Sequence, residues 1–177
     1  MPSGKTHDIV TILLAAPAFA AGYAATADAG LAAWAACSFL FGGLMFGPDL
    51  DTVSKQYSRW WLLRPIWFPY RVGFKHRSRW SHGLIFGTLF RVIYLFGVTS
   101  IGVYILLLIN RSFAGGELPD ISVFANAWGQ FGEFVRAGMG ELFLPAVFIG
   151  MWAGAASHTF TDMAGTYVKT GRVTEFL

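Results

Sequence analysis

The sequence predicts an all-α integral membrane protein, a helical bundle of about four transmembrane helices with additional interfacial helical segments. Composition is the first observation that predicts this class. Of 177 residues, 55% are hydrophobic and only 13% are charged, with a mean hydropathy of +0.52, whereas a typical soluble domain is about one quarter charged. The second observation is the presence of four apolar stretches of the length, about 20 residues, that crosses a bilayer. An ordinary soluble domain and intrinsic disorder are thereby excluded, and the whole chain, 1–177, is predicted to be one membrane domain.

The four predicted spans cover residues 9–27, 29–48, 84–110 and 142–161. Asp28 and Gly30 suit a tight turn between the first two spans. The first span has an alternative interpretation as a signal peptide, because Lys5 precedes an apolar run and Ala18-Phe19-Ala20 is typical of a cleavage site. Asp8 directly before that run favours a span. Between the last two spans, residues 121–137 predict a weakly amphipathic helix on the membrane surface.

The distribution of basic residues predicts the orientation of these helices. With four spans, both termini and the segment 49–83 lie on one side of the membrane. That side carries ten basic residues: Lys5, Lys55, Arg59, Arg64, Arg71, Lys75, Arg77, Arg79, Lys169 and Arg172. The other side carries Arg111 and Arg136. Since cytoplasmic loops are enriched in Lys and Arg, we expect a bacterial inner-membrane protein with both termini in the cytoplasm. Topology accounts for the basic residues, so nucleic acid is not an expected partner.

All four histidines fall at the cytoplasmic ends of the predicted spans, together with several aspartates. The candidates are His7 and Asp8 before the first span, Asp49 and Asp51 after the second, His76 and His82 before the third, and His158 and Asp162 at the end of the fourth. His158 and Asp162 are four residues apart and share one helix face. Pro48 predicts an extended Asp49-Leu50-Asp51 segment whose two carboxylates point the same way. A loop is expected to carry His76, and Ser81 suits the N-cap of the helix that bears His82.

Imidazole and carboxylate groups together suit Zn, Mn or Fe. Up to four histidines and four aspartates exceed what one four-coordinate ion needs, whereas two metal ions about 3.5–4 Å apart would use them all. Ionisable residues at membrane spans indicate function by default. The alternative for each single position is an interfacial polar group or a helix cap. The lone Cys37 excludes a disulfide framework and a thiolate zinc site.

Several motifs resemble a bacterial family of metal-binding integral membrane proteins of unknown function. They are residues 1–8 (MPSGKTHD), Gly47-Pro48-Asp49-Leu50-Asp51, the run 60–91 with Ser81-His82-Gly83, and His158-x-x-x-Asp162. The same order of motifs is similar to a broader group of membrane-bound metal-dependent hydrolases, which resembles zinc-dependent phospholipase C-type enzymes. The resemblance implies a metal site formed by His7, Asp49, Asp51, His76, His82, His158 and Asp162. Residues 110–141 carry none of it.

Together these features predict a metal-binding membrane protein that hydrolyses a phosphate ester, with a phospholipid or lipid-linked phosphate as the natural substrate at headgroup depth. Asp8 is predicted as a ligand, a partner of a ligand or a general base. Arg77, Arg79 or Arg91 is predicted to steady phosphate charge. For Arg91, a candidate catalytic residue, snorkelling to the interface or pairing with an aspartate is favoured over substrate contact. The basic, aromatic segment 49–83 predicts contacts with membrane lipids. A non-catalytic metal sensor or store is the main alternative; a metal-ion transporter is disfavoured, since transporter sites lie near the midplane.

Overall fold

The computed structural model describes residues 2–74, 78–115 and 120–171, apart from the side chain of Arg79. Every regular element within these ranges is helical, which confirms the all-α class. The α-helices are α1 (Gly4–Thr26), α2 (Ala29–Leu44), α3 (Lys55–Arg59), α4 (Phe68–Gly73), α5 (Arg79–His82), α6 (Phe86–Ala114), α7 (Ile121–Met139) and α8 (Phe143–Thr170), and two 3₁₀ helices cover Pro48–Asp51 and Trp61–Trp67.

Four helical segments are long and apolar enough to cross a membrane. They are Gly4–Thr26 and Ala29–Asp51, each of 23 residues, Phe86–Ala114 of 29 residues, and Phe143–Thr170 of 28 residues. At about 1.5 Å per residue, the continuous helix Gly4–Thr26 reaches roughly 35 Å, against a hydrocarbon core of about 30 Å. The segment Ala29–Asp51 combines the 16 residues of α2 with the 3₁₀ helix Pro48–Asp51. Large apolar side chains along these helices, such as Leu13 and Leu106, are exposed and suit contact with lipid. The number and order of apolar helices therefore agree with the predicted spans.

A short hairpin joins α1 to α2. Ala27 ends α1 in the left-handed conformation (φ 53°), and its backbone N–H donates to the carbonyl of Tyr23 at 2.8 Å. Asp28 then caps α2, because its carboxylate accepts from the N–H groups of Gly30 at 2.7 Å and Leu31 at 3.0 Å. The turn predicted at Asp28 and Gly30 is therefore confirmed, and it brings α1 and α2 side by side.

Glycines let α8 approach α2 at backbone distance. A Cβ atom on Gly154 would lie 1.9 Å from the carbonyl oxygen of Phe39, and one on Gly150 would lie 2.2 Å from the carbonyl oxygen of Ala35. Small residues allow such close helix crossings within a bilayer. This contact packs the first half of α8 against α2 from Ala35 to Gly43.

The segment between α2 and α6 folds into a small cap with its own apolar core. Phe46, Leu50, Trp67 and Tyr70 are buried together there, and the rings of Trp67 and Tyr70 meet edge to face at 5.7 Å. The hydroxyl of Tyr94 on α6 donates to the carbonyl of Ile66. Part of the aromatic segment predicted as a membrane belt is therefore core, because a helical cap needs an apolar interior of its own.

The helix predicted at 121–137 is present as α7. Asp120 caps it by accepting from the backbone N–H of Ser122 at 2.7 Å, and this hydrogen bond lowers the pKa of the Asp120 carboxyl. Aromatic side chains join α7 to α6, with Trp128 against Phe96 at a centroid distance of 4.7 Å.

Three local predictions at the site end of the bundle are wrong. Residues Pro48–Asp51 form a 3₁₀ helix instead of an extended segment, since proline suits the first turn of a helix as well as a break. Ser78, not Ser81, caps the short helix α5, its hydroxyl accepting from the backbone N–H of Ser81 at 3.2 Å. Helix α8 continues well past Asp162, which therefore lies inside a helix instead of closing it.

Candidate metal centre

Side chains from four separate elements converge where α1 begins and α2 ends. Helix α1 contributes His7, the 3₁₀ helix contributes Asp49 and Asp51, α5 contributes His82, and α8 contributes His158 and Asp162. All of them except Asp49 are buried. The structure thus brings together six of the seven ligands that the sequence predicts.

His7, His158 and Asp162 form the tightest group. Each offers a donor atom, and these atoms all lie within 4.8 Å of one another. Nε2 of His7 is 3.2 Å from Oδ1 of Asp162, and Nε2 of His158 is 3.7 Å from Oδ2 of the same carboxylate. The two imidazole rings stack with their centroids 3.8 Å apart. The four-residue spacing on α8 therefore places two donors on one face, and α1 supplies the third.

Asp49 connects this group to His82. Its Oδ2 lies 3.3 Å from Nε2 of His158, and its Oδ1 lies 3.6 Å from Nε2 of His82. A carboxylate whose two oxygens face two different imidazoles has the arrangement expected of a ligand shared by two ions. The prediction of a second ion therefore depends mainly on Asp49.

His82 is held from its Nδ1 side. Oγ of Ser81 lies 3.0 Å from this nitrogen, and Oδ2 of Asp51 lies 3.5 Å from it. Oxygen atoms at Nδ1 favour the tautomer that carries its proton there, which leaves Nε2 to face Asp49. The geometry therefore places Asp51, which the sequence predicts as a ligand, to orient a ligand.

Gln56 is buried beside the cluster but is absent from the sequence-based set. Its amide nitrogen donates to the carbonyl of Gly43 at 2.7 Å and lies 3.2 Å from Nδ1 of His158. Its amide oxygen accepts from the backbone N–H of Asp49 at 3.1 Å. One side chain thereby ties α2, the 3₁₀ helix and α8 together. A single glutamine in a basic, aromatic segment gives no local signal of this role, because the contacts join distant parts of the chain.

Arg91 lies behind the cluster, and its side chain is only 2% exposed. Its guanidinium donates to the carbonyl of Ser81 at 2.7 Å and to the hydroxyl of Thr88 at 3.0 Å, and it interacts electrostatically with Asp51. Burial raises the pKa of the neighbouring Tyr70 phenol, while the Arg91 charge acts in the opposite direction. The guanidinium is buried and bonded to groups of the protein itself, and this geometry disfavours contact with a substrate.

A cavity of about 230 Å³ opens beside the cluster. Its wall is formed by Gly4, His7, Asp8, Asp49, Ser54, Lys55, Gln56 and His158. A small molecule in this cavity would therefore touch three of the predicted metal ligands. Asp8, predicted as a ligand or general base, lies on the wall with its carboxylate turned towards Arg59 at 2.7 Å and Lys55 at 3.5 Å.

The donor atoms at the centre of the cluster fit a divalent cation. Both carboxylate oxygens of Asp162 and Nε2 of His158 are buried, and the groups that face them are ionisable side chains: His7 and His158 face the carboxylate, and Asp49 and Asp162 face the nitrogen. Burying ionisable groups is costly unless their charges are balanced, and a cation bound among them supplies that balance. Nitrogen and oxygen donors of this kind suit Zn, Mn or Fe.

The remaining predicted ligand, His76, lies outside the described residues, as does Arg77, and so does the side chain of Arg79. The role of His76 therefore stays a prediction. The described candidate ligands come from each of the four predicted clusters.

An all-helical protein with a buried His/Asp cluster at one end of its apolar helices belongs to the class of helical metal-binding proteins. This chain belongs to the family described as "Uncharacterized metal-binding protein (DUF2227)", whose family model matches residues 2–172. It is also 29% identical over 134 residues to an uncharacterized protein of Aquifex aeolicus (strain VF5), a match that covers 74% of this chain and 89% of that relative. No solved structure gives a significant match. The comparisons confirm the metal-binding family that the motifs resemble.

Proposed function

We propose that the protein is an integral membrane, metal-dependent hydrolase of a phosphate ester, with its site at the cytoplasmic surface of the membrane. The observation that carries this proposal is the cavity that opens onto His7, Asp49 and His158. A purely structural metal site is closed by its protein ligands. A site whose ligands line a cavity can instead offer its ion to a small molecule.

The proposed ligands are His7, His82, His158, Asp49 and Asp162, with Asp51 and Gln56 orienting the imidazoles. His7, His158 and Asp162 would hold one ion, and Asp49 with His82 would hold a second. Zn, Mn or Fe bound there supplies Lewis acidity, which polarises a phosphoryl oxygen and offsets its charge. The protein itself contributes the fixed donor atoms, the cavity beside them and the cationic side chains at its wall.

A phospholipid or lipid-linked phosphate is the proposed substrate because of where the cluster lies. The site lies where Gly4–Thr26 begins and Ala29–Asp51 ends, two segments long and apolar enough to span a bilayer, and a third such helix, α8, passes beside it. Trp61, Leu62 and Phe68 are exposed on the cap beside it, and aromatic side chains with basic neighbours are typical of headgroup depth. The basic residues of the same cap support a cytoplasmic location for both termini.

Burial of the ligands favours a second candidate, a metal site without turnover. His158 and Asp162 are almost fully buried, as in structural or sensing sites. Both candidate functions require metal binding, and only the first requires hydrolysis. Measuring metal content and phosphate release on the same wild-type and variant proteins therefore distinguishes them.

The test begins with elemental mass spectrometry of detergent-purified wild type, His82→Ala and Asp51→Ala, with Arg111→Ala on the distal part of α6 as the matched control. We expect up to two Zn, Mn or Fe ions per wild-type chain, fewer in the two site variants, and no change in the control. Metal-free wild type that resists reconstitution would contradict both candidates. Metal-loaded wild type that releases no phosphate from a chromogenic phosphomonoester or from phosphatidic acid would favour the site without turnover.

Orientation is tested separately. A fluorescent protein that matures only in the cytoplasm, fused to the C-terminus, should fluoresce in the membrane fraction of a bacterial host. A periplasmic reporter active at the same position would contradict the proposed topology and move the site to the opposite membrane face.

A further inference from the structure

The Asp8 carboxylate, on the wall of the cavity, sits between two cations: Lys55, which lines the same cavity, and Arg59, which contacts Asp8 without lining the cavity. Oδ2 of Asp8 lies 2.7 Å from Nη2 of Arg59 and 3.5 Å from Nζ of Lys55. Nη1 of Arg59 also donates to the carbonyl of Leu44 at 2.6 Å. This second bond anchors the guanidinium at the end of α2 and leaves its other nitrogen directed at the carboxylate.

The charges immediately around Asp8 do not balance. Lys55 and Arg59 bring two positive charges to it and Asp8 supplies one negative charge, while Asp49, the other carboxylate on the cavity wall, faces the imidazoles of His82 and His158. The side chains of Lys55, Arg59 and Asp8 are partly exposed to solvent. Ion pairs of this kind contribute little to stability, so an incoming anion can replace the carboxylate at little cost.

We propose that Lys55 and Arg59 form an anion-binding subsite that receives a phosphoryl group, and that the Asp8 carboxylate fills this subsite when no phosphate is bound. The assignment of the anion as phosphate rests on the proposed function. A guanidinium presents a fork of N–H donors that matches phosphate oxygens, and an ammonium binds the same group as a point charge. Asp8 is then a competitor for the subsite, which differs from the ligand or general base that the sequence predicts.

The size of the cavity limits what enters it. At about 230 Å³ it is smaller than the roughly 300–1,000 Å³ typical of pockets that enclose whole ligands. A phosphoryl group can therefore enter while the remainder of the molecule stays outside. The same chemistry is offered by free phosphate and by a phosphorylated lipid headgroup, and the experiment separates these sources.

The test measures binding of inorganic phosphate to metal-loaded protein in detergent by isothermal titration calorimetry. Lys55→Gln and Arg59→Gln should each weaken phosphate binding about tenfold or more, since each removes a charge-assisted contact. Arg64→Gln is the matched control, because Arg64 lies in the same cap and donates to the carbonyl of Ser58 instead of facing the cavity. Arg59→Lys keeps the charge and should fall between wild type and Arg59→Gln.

Asp8→Asn tests the competitor role directly. It removes the competing anion and should tighten phosphate binding severalfold, and weaker binding in this variant would overturn that role. Metal content and thermal unfolding are measured for every variant, so that a misfolded protein is recognised and Arg59→Lys then decides the result.

Dioctanoyl phosphatidic acid in detergent is titrated in parallel. Binding of both molecules that depends equally on Lys55 supports a subsite for the phosphoryl group, and tighter binding of the lipid identifies the headgroup as its source. Equal phosphate affinity in wild type, Lys55→Gln and Arg59→Gln would overturn the subsite, as would wild type that binds neither molecule. Phosphate binding without hydrolysis would refute the proposed hydrolase and leave the subsite standing.

Discussion

Replacing the buried Arg91 by leucine tests how the site is held together. The change removes the hydrogen bonds to the Ser81 carbonyl and the Thr88 hydroxyl and the charge beside Asp51. A hydrogen bond from a charged group contributes about 1.5–3 kcal/mol, so two contribute about 3–6 kcal/mol. The Asp51 carboxylate would at the same time lose a nearby positive charge. We therefore expect Arg91→Leu to cost about 3–6 kcal/mol, most of it in the segment that carries His82.

The loss should appear in metal binding, because His82 directly follows Ser81 in the chain. If about 3 kcal/mol of it falls on the ligand, affinity drops more than a hundredfold at 1.36 kcal/mol per factor of ten. Chelator-competition titration with zinc measures this drop, and thermal unfolding in detergent measures the accompanying instability. Arg91→Lys, which keeps the charge without the planar fork, should give an intermediate affinity. Arg111→Leu, an exposed change at the far end of α6, should bind zinc as wild type does.

An Arg91→Leu protein with wild-type zinc affinity and wild-type unfolding temperature would refute this reasoning. If that same protein had lost only phosphate binding, Arg91 would be a substrate contact, as one of the sequence-based predictions has it. The two roles thus give opposite patterns in two measurements on one variant.

Other predictions address the ligands, their orientation, the packing of the helices and the bound ion. His158→Ala should lose bound metal by elemental mass spectrometry, and an unchanged content would remove it from the ligand set. Gln56→Leu should lower metal affinity about 10–100-fold in chelator competition; affinity equal to wild type would show that its contacts are incidental. Gly154→Val should unfold at a lower temperature than Gly102→Val, because a Cβ at Gly154 lies 1.9 Å from a carbonyl oxygen and one at Gly102 meets nothing within 4 Å; equal midpoints would contradict the close packing. A chelator should lower the unfolding temperature of wild type, since saturating a site at a hundredfold excess over Kd stabilises the fold by about 2.7 kcal/mol; no shift would mean that the ion does not bind the folded state preferentially.

The helices and the one-sided cluster could be predicted from sequence because local patterns determine them. Apolar length defines a spanning helix, and alternation of spans fixes which polar residues share an end of the bundle. The spacing of His158 and Asp162 alone places them on one helix face, as found at 3.7 Å. His7 and His82, although far apart in the chain, follow from the same alternation.

Which of these side chains bind an ion and which orient a ligand could not be predicted in the same way. Whether Asp51 binds an ion or orients His82 depends on which ring nitrogen it faces, and that depends on the 3₁₀ turn after Pro48. The role of Gln56 exists only once α2, the 3₁₀ helix and α8 are packed. The hydrogen-bond partners of Arg91 could not be predicted either, because a backbone carbonyl and a hydroxyl occur throughout any sequence.

Charge balance explains why a cation belongs at the centre of this fold. The Asp162 carboxylate is 1% exposed, and the imidazoles of His7 and His158 face it. An imidazole supplies a positive charge only when protonated, and a protonated imidazole is no metal ligand. A buried carboxylate without a counter-charge costs several kcal/mol. An ion bound by His7, His158 and Asp162 supplies the missing charge and at the same time fastens α1 to α8. We therefore expect metal binding and the packing of these apolar helices to be coupled, with the candidate ligands also holding α1 and α8 together.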